Sequence, residues 1–181
     1  SVEELITRVE RENERVARRD EELLRENEKR NRDVTREDRD LLKKLKEEVE
    51  EVLKRIREEG KEREEIAKRL KEILDRLKKE SDDVEERSKE LLEELERSSR
   101  EAKARMDEHL RDLRRRVKGG VSEETVKELV KHNEDLLRKW EKKSEDLSRK
   151  NEEALERWRR KSKKLAEELK KTLEDIRREV T

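Results

Sequence analysis

The two histidines are the side chains of this sequence best suited to chemistry, because imidazole binds metals and exchanges protons near neutral pH. His109 and His132 are the only histidines, and the helix pairing derived below places them opposite each other, near Glu128. Zinc sites need three or four convergent N, O or S ligands, and di-iron bundles carry Glu-x-x-His pairs on two helices. Neither pattern is present. A hydrogen-bonded or rim histidine pair is therefore favoured over a metal site.

Nucleophilic catalysis and phosphate binding find no support either. The serines stand at helix starts or at core spacing, without a paired base and an orienting carboxylate. Gly119-Gly120 has the spacing of neither a P-loop nor a dinucleotide-binding loop. The basic runs 114–116 and 159–161 lack aromatic platforms and lie in mixed charge, which is typical of solvated helix faces. The sequence predicts no enzyme activity, no cofactor and no small-molecule substrate.

The composition narrows the class of protein further. Of 181 residues, 60% are charged, 27% are hydrophobic, and 54 Lys+Arg balance 54 Asp+Glu, whereas an average globular domain is about 25% charged. Zero net charge argues against a nucleic-acid binder driven by counterion release. No apolar run approaches the roughly 18 residues of a membrane span, and there is no cysteine for disulfides or thiolate metal sites. We expect a soluble protein that binds neither nucleic acid nor membranes.

Helical periodicity supplies the elements that position these residues. Apolar residues recur at steps of three and four, the spacing of one helix face. Asp33-Val34-Thr35 and Ser81-Asp82-Asp83 carry residues typical of helix starts, and Gly119-Gly120 is typical of a helix end. We therefore predict an all-α, up-down antiparallel four-helix bundle that forms a single domain. The predicted helices are residues 2–32, 36–79, 83–118 and 123–180.

The fourth predicted helix repeats every eighteen residues. Leu129, Leu147 and Leu165 share one column, and Trp140 and Trp158 share another. Eighteen residues make five turns at 3.6 residues per turn, the period of a straight helix, whereas a heptad would impose a left-handed supercoil. The bundle is therefore expected to be nearly untwisted.

Polar residues interrupt the apolar seam at matching heights. Short connections align antiparallel helices so that paired residue numbers have sums of about 68, 161 and 240 for successive helix pairs. An unpaired buried polar group costs about 1–3 kcal/mol, so facing polar residues should hydrogen-bond and thereby fix register and pairing. The predicted buried polar residues are Arg63, Ser88, Ser98, Ser99, His109, His132, Asn133, Ser144 and Asn151.

Gly60 is expected to lie inside the second helix. The alignment places Gly60 and Ala102 opposite Trp140, and two small residues beside a large one fill a core without strain. The alternative is that Gly60 ends the helix. The packing interpretation is favoured because no N-cap residue follows Gly60.

These features resemble those of de novo designed helical bundles of the parametric kind with buried hydrogen-bond networks. The resemblance covers the whole chain and rests on Glu/Lys/Arg-rich surfaces, short connections such as Asp33-Val34-Thr35, and periodic Asn, Ser and His in the seam. It implies high stability, no catalysis, a purpose defined by assembly or a partner, and cytoplasmic location on expression in a host. Such designs usually have helices of equal length, and the predicted helices are unequal.

The unequal lengths predict self-association. Residues 159–181 would extend past the other helices with an apolar stripe that no helix of the same chain covers. Two chains related by a two-fold axis near Ser162 would bury both stripes in a closed interface, and each aliphatic side chain would contribute about 1.5–3 kcal/mol. The residues predicted to form this homodimer are Trp158, Leu165, Leu169, Leu173, Ile176 and Val180.

Two alternatives use the same surfaces. The chain could be a binding module whose groove accepts a helix from a different chain, as in heterodimers or cage–key switches. It could also be a monomer in which the fourth helix breaks near Ser162 and folds back.

Overall fold

The computed structural model describes residues 1–60 and 64–180, without the side chain of residue 180. Almost all of these residues lie in three helices of similar length: α1 is Val2–Glu58 (57 residues), α2 is Glu64–Lys118 (55 residues) and α3 is Glu123–Val180 (58 residues). Acidic residues in each first turn and basic residues in each last turn complement the helix dipoles. The all-α fold is confirmed, and the prediction of four helices is wrong because the described residues form three.

Two predicted helix boundaries are absent. Residues 33–35 lie inside α1, and residues 81–83 lie inside α2. Val34 is 3% exposed and Ser81 is 4% exposed, so both segments continue a buried helix face. A cap signal is worth about 1 kcal/mol, and a continuous buried stripe outweighs it. The bounds predicted for the first three helices are corrected accordingly.

Gly60 ends a helix instead of packing inside one. α1 stops at Glu58, the Gly60 N–H donates to the Arg57 carbonyl at 3.1 Å, and Gly60 has a φ of 69°. Glycine takes this left-handed conformation without the steric cost that a Cβ imposes. Gly60 is exposed, and a Cβ built on it would meet nothing within 4 Å. The packing role expected for Gly60 is therefore wrong, and the alternative interpretation is correct.

The second connection matches the expectation. Gly120 has a φ of 82°, and the Val121 N–H reaches back to the Arg116 carbonyl at 3.3 Å. Ser122 then caps α3, because its Oγ accepts the Thr125 N–H at 3.4 Å. The segment with the two glycines thus provides hydrogen bonds to the last carbonyl groups of α2, and the polar N-cap residue of α3 follows it.

The chain divides into two compact units, each built from a part of all three helices. Unit 1 is Ser1–Lys29 with Glu90–Asn151, and unit 2 is Arg30–Lys89 with Glu152–Thr181. In unit 1, Asn13 pairs with Asn133 and Asn27 pairs with Ser148, so α1 and α3 run parallel there.

The two units contain apolar cores of different kinds. Unit 1 has two small clusters of buried residues, one formed by Val9, Leu113, Val126 and Val130, the other by Val16, Ala102, Met106 and Leu137. Unit 2 has a small cluster around Trp158 and a large cluster from all three helices. The buried members of the large cluster are Leu45, Val49, Val52, Ile56, Leu70, Ile73, Leu77, Ala166, Leu169, Leu173 and Ile176.

Candidate functional site: buried polar contacts

The most completely bonded polar contact lies in unit 1, around Asn27. Its side chain is 0% exposed, and its Nδ2 donates to the Leu23 carbonyl at 2.7 Å and to Ser148 Oγ at 2.9 Å. Asn151 Nδ2 donates to Asn27 Oδ1 at 2.9 Å. Both donors and the acceptor of this buried amide are therefore used, and two of the three bonds join α1 to α3.

A second polar contact of unit 1 joins Asn13 and Asn133. Asn133 Nδ2 donates to Asn13 Oδ1 at 3.0 Å, and the residues are 4% and 9% exposed respectively. Asn133 Oδ1 is also buried, without a hydrogen-bond partner among the residues described. This layer also joins α1 to α3, but its hydrogen-bonding capacity is only partly used.

Asp20 lies between these two contacts along α1, in an environment that disfavours its charge. It is 1% exposed. Burial raises the pKa of the Asp20 carboxyl, the Ser144 hydroxyl lowers it, and the Glu141 carboxylate raises it. The approach of Ser144 falls short of hydrogen-bond geometry, so neither carboxyl oxygen has a hydrogen-bond partner within the described chain. A protonated Asp20 is therefore favoured in the folded state relative to the unfolded state.

Unit 2 carries related polar residues. Asn31 Nδ2 donates to the Ser88 carbonyl at 3.3 Å. Asp38 is 4% exposed, and burial, with Glu85 and Asp82 adding to it and Arg39 opposing it, raises the pKa of its carboxyl to about 6.

Trp158 adds an unsatisfied donor to the polar groups of unit 2. Its Nε1 and the Oδ1 of Asp38 are both buried without a hydrogen-bond partner in the part of the chain described. Unit 2 thus contains both an acceptor and a donor that folding has removed from water at a cost.

The polar residues predicted from the sequence have different environments. Five are buried, namely Ser88, Ser98, Asn133, Ser144 and Asn151. Ser99 and His109 are half-buried, and His132 is exposed. Arg63 lies outside the described residues. His109 and His132 lie close together, with ring centroids 5.8 Å apart. This agrees with the expected sum of about 240 for residue numbers paired between the last two helices.

The three- and four-residue steps of the first predicted helix place Asn13, Asp20, Asn27 and Asn31 on its inward face, but the predicted polar layers did not include them. Asn13, Asp20, Asn27, Asn31 and Asp38 are all buried. The signal was present, because Asn13 and Asn31, like Asp20 and Asp38, are eighteen residues apart, the repeat recognised only in the last helix. Dividing α1 at residues 33–35 assigned its two halves to different helices and hid the repeat.

The residues assigned to packing and self-association also need correction. Ala102 and Trp140 belong to one cluster, as expected, without Gly60. Residues of the supposed overhang pack on Leu45 and Leu70 of the same chain. Trp158, Leu169, Leu173 and Ile176 are buried, Leu165 is half-buried against the large cluster, and the side chain of Val180 is not described. The predicted overhanging stripe is therefore wrong. It was expected because the prediction divided α1 and α2 into shorter helices.

Comparison with known proteins identifies no relative. No protein-family model matches the chain, and neither a curated protein nor a solved structure matches it. Among the described residues, no helix combines the length and the apolar character needed to cross a membrane. Those residues also contain no group of three or more His, Cys, Asp or Glu side chains placed to hold a metal ion.

Proposed function

We propose that this chain is a de novo designed structural protein without enzymatic activity, whose buried polar contacts set which helix faces pair and in which register. The observation that carries this proposal is the Asn27 contact, in which one fully buried amide bonds to both Ser148 and Asn151 across α1 and α3. Such a contact contributes little net stability compared with an apolar core of the same volume. Its effect is to penalise the wrong alignment.

The penalty follows from geometry. Sliding α3 by one helical turn along α1 displaces it by about 5.4 Å, which removes both side-chain partners of Asn27. A buried polar group left unpaired costs about 1–3 kcal/mol, and Ser148 and Asn151 lose a partner in the same step. Several such groups together make the free-energy difference between the correct register and the neighbouring registers larger than the apolar contacts alone would make it.

The regularity of the chain supports a designed origin. Three helices of 57, 55 and 58 residues match the equal lengths typical of the bundles that the sequence resembles. The eighteen-residue columns occur in α1 as well as α3. Equal lengths and a common period are what idealised backbone construction produces.

The absence of catalysis is part of the proposal, and burial is its support. Raised carboxyl pKa values are often a mark of active sites, and Asp20 and Asp38 have them. Both side chains are at most 4% exposed, so a substrate has no access to either carboxyl. They are interpreted as polar residues of the helix seam.

The register role is tested by replacing the Asn27 contact with apolar side chains. The triple variant Asn27→Leu, Ser148→Ala, Asn151→Leu should resist guanidinium at least as well as the parent chain but show more than one set of backbone amide resonances. Ser99→Ala, at a half-buried serine, is the matched control and should keep a single set. A triple variant with one set of resonances would contradict the proposal.

A second candidate function is a module that accepts a helix from another chain. One observation favours it: unit 2 has an open groove of about 600 Å³ between α1 and α2, with Leu42, Leu53 and Leu74 among its lining residues. Charged side chains line both edges, mostly basic on α1 (Arg39, Lys43, Lys46 and Glu50) and of both signs on α2 (Lys71, Asp75, Lys78, Asp82 and Glu85). Helix-in-groove recognition uses such a floor with charged walls.

Homodimerisation stays a prediction, but the buried tail no longer motivates it. Sedimentation of the purified chain at micromolar concentration separates the candidates. A measured mass of one chain fits either a self-contained scaffold or a module whose groove has not yet bound a helix. A measured mass of two chains supports the homodimer. Leu74→Glu distinguishes the first two, since it should abolish capture of a partner helix while leaving a scaffold folded.

A further inference from the structure

The histidine pair of unit 1 has a geometry that none of the polar contacts explains. His109 lies on α2 and His132 on α3, their ring centroids are 5.8 Å apart, and their planes are inclined by 73°. They are the only two histidines among 181 residues. His109 is half-buried and His132 is exposed, so a solvated ion can reach both rings.

The separation suits a shared metal ion. A metal–imidazole bond is about 2.0–2.1 Å long, which places a ring centroid about 3.2 Å from the metal. Two imidazoles at a tetrahedral angle then have centroids about 5.2 Å apart, and two opposite imidazoles about 6.4 Å apart. The observed 5.8 Å lies between these limits, so the two rings already have a separation that one bridging ion can accept.

We propose that His109 and His132 form a two-imidazole clamp for a divalent transition-metal ion of the Zn²⁺, Ni²⁺ or Cu²⁺ type. Neutral imidazole is a preferred ligand of all three ions. The described residues place no third His, Cys, Asp or Glu at the site, so water completes the coordination and the site is open. Closed metal sites need three or four convergent protein ligands, whereas an open two-histidine clamp does not.

Binding would tie α2 to α3. The two histidines are held together only in the folded chain, so an ion that needs both binds the folded state preferentially. Preferential binding stabilises the folded state by an amount that grows with the ratio of free ion to Kd. This inference is independent of the proposed structural function, because it rests on the histidines and not on the asparagine contacts.

The test is denaturation in guanidinium with and without NiCl₂, beside calorimetric titration of the folded chain with the same salt. We expect about one Ni²⁺ per chain, a midpoint that rises until the site is saturated, and full reversal by EDTA. His109→Ala and His132→Ala should each fold and each lose the metal-dependent shift. His132→Asn, which keeps a polar side chain, should lose it as well.

Two results would overturn the clamp. One is absence of heat and of any midpoint shift at millimolar NiCl₂. The other is an equal shift in the single-histidine variants, which would assign binding to scattered surface carboxylates. Sedimentation in NiCl₂ completes the test: the mass should not change, whereas metal-dependent doubling would show that the exposed His132 bridges two chains instead of pairing with His109.

Discussion

The large cluster of unit 2 and the seam of unit 1 are built from the same repeating helices in opposite ways. In unit 2, eleven buried apolar residues from all three helices form one continuous cluster. In unit 1, two clusters of four buried residues each share the seam with buried asparagines and an aspartate. An apolar cluster supplies stability and tolerates rearrangement, whereas polar contacts supply alignment and little stability. We therefore propose that the large cluster of unit 2 contributes mainly stability and the polar contacts of unit 1 contribute mainly alignment.

The eighteen-residue columns show how one backbone pattern serves both purposes. In α1 the column of Asn13 continues through Asn31 to Val49, and in α3 the column of Asn133 ends at Leu169. Each column keeps its inward position, since Asn13, Asn31 and Val49 are all buried. Side-chain polarity therefore changes along the helix while the backbone position does not.

The largest expected effect is in the apolar cluster. Leu169 is 0% exposed, and Leu169→Ala should lower the free energy of unfolding by about 2–5 kcal/mol through lost burial and a residual cavity. Leu165→Ala, at a half-buried neighbour on the same helix, should cost clearly less. Guanidinium titration followed by circular dichroism gives both values.

The same two variants also test the monomeric packing of the tail. If Leu169 packs within its own chain, the cost of Leu169→Ala should not change with protein concentration. A cost that grows with dilution would show that the end of α3 is buried against a second chain.

The sequence predicted helix type, the second connection and the burial of most polar residues of α2 and α3. Periodicity determines these features, because a residue on the apolar face is buried whichever helix it packs against. The α2–α3 alignment was also predictable, as His109 and His132 show, because Gly119-Gly120 marks the connection unambiguously.

The helix count was not predictable by the same reasoning. Asp33-Val34-Thr35 has the residues of a cap, and Gly60 has no cap after it, so local signals favoured a break at the first site and continuity at the second. Packing decides otherwise: Val34 is buried in the cluster of Trp158, and Gly60 takes a positive φ. Caps report local preference, and tertiary burial outweighs them. The false overhang followed from these misplaced helix boundaries.

The next effect in size concerns the polar seam of unit 1. Asn27→Ala removes the partner of Ser148 Oγ and of Asn151 Nδ2 and should cost about 1–3 kcal/mol. Ser148→Ala removes one of three bonds and should cost less. Chemical denaturation measures both, and equal values would mean that water replaces the lost partners and that the seam is less dry than its burial indicates.

A pH effect distinguishes the carboxyl groups from the amides. Because the pKa of Asp38 is raised to about 6, its protonated form favours folding: the contribution is present below about pH 4 and is lost as the pH rises through about 6. Asp38→Asn should flatten the decline of unfolding free energy between pH 4 and 7 by about 1–2 kcal/mol, after allowance for solvent screening. If the free energies of unfolding of parent and variant changed with pH in parallel, the raised pKa of the Asp38 carboxyl would be contradicted.

The smallest effect is expected at the surface beside the same seam. Arg8 Nη2 lies 2.6 Å from Glu134 Oε1 across α1 and α3, and Arg8→Ala should cost about 0.2–1 kcal/mol at low salt. The matched control is Arg18→Ala, since Arg18 pairs with Glu14 on its own helix at 3.6 Å and should cost about 0.3–0.5 kcal/mol or less. Screening at 1 M salt, where the Debye length is about 3 Å, should remove most of both effects. If the cost of Arg8→Ala persists at high salt, surface ion pairs between α1 and α3 also contribute to their alignment. The alignment role would then include exposed residues of unit 1 as well as its buried amides.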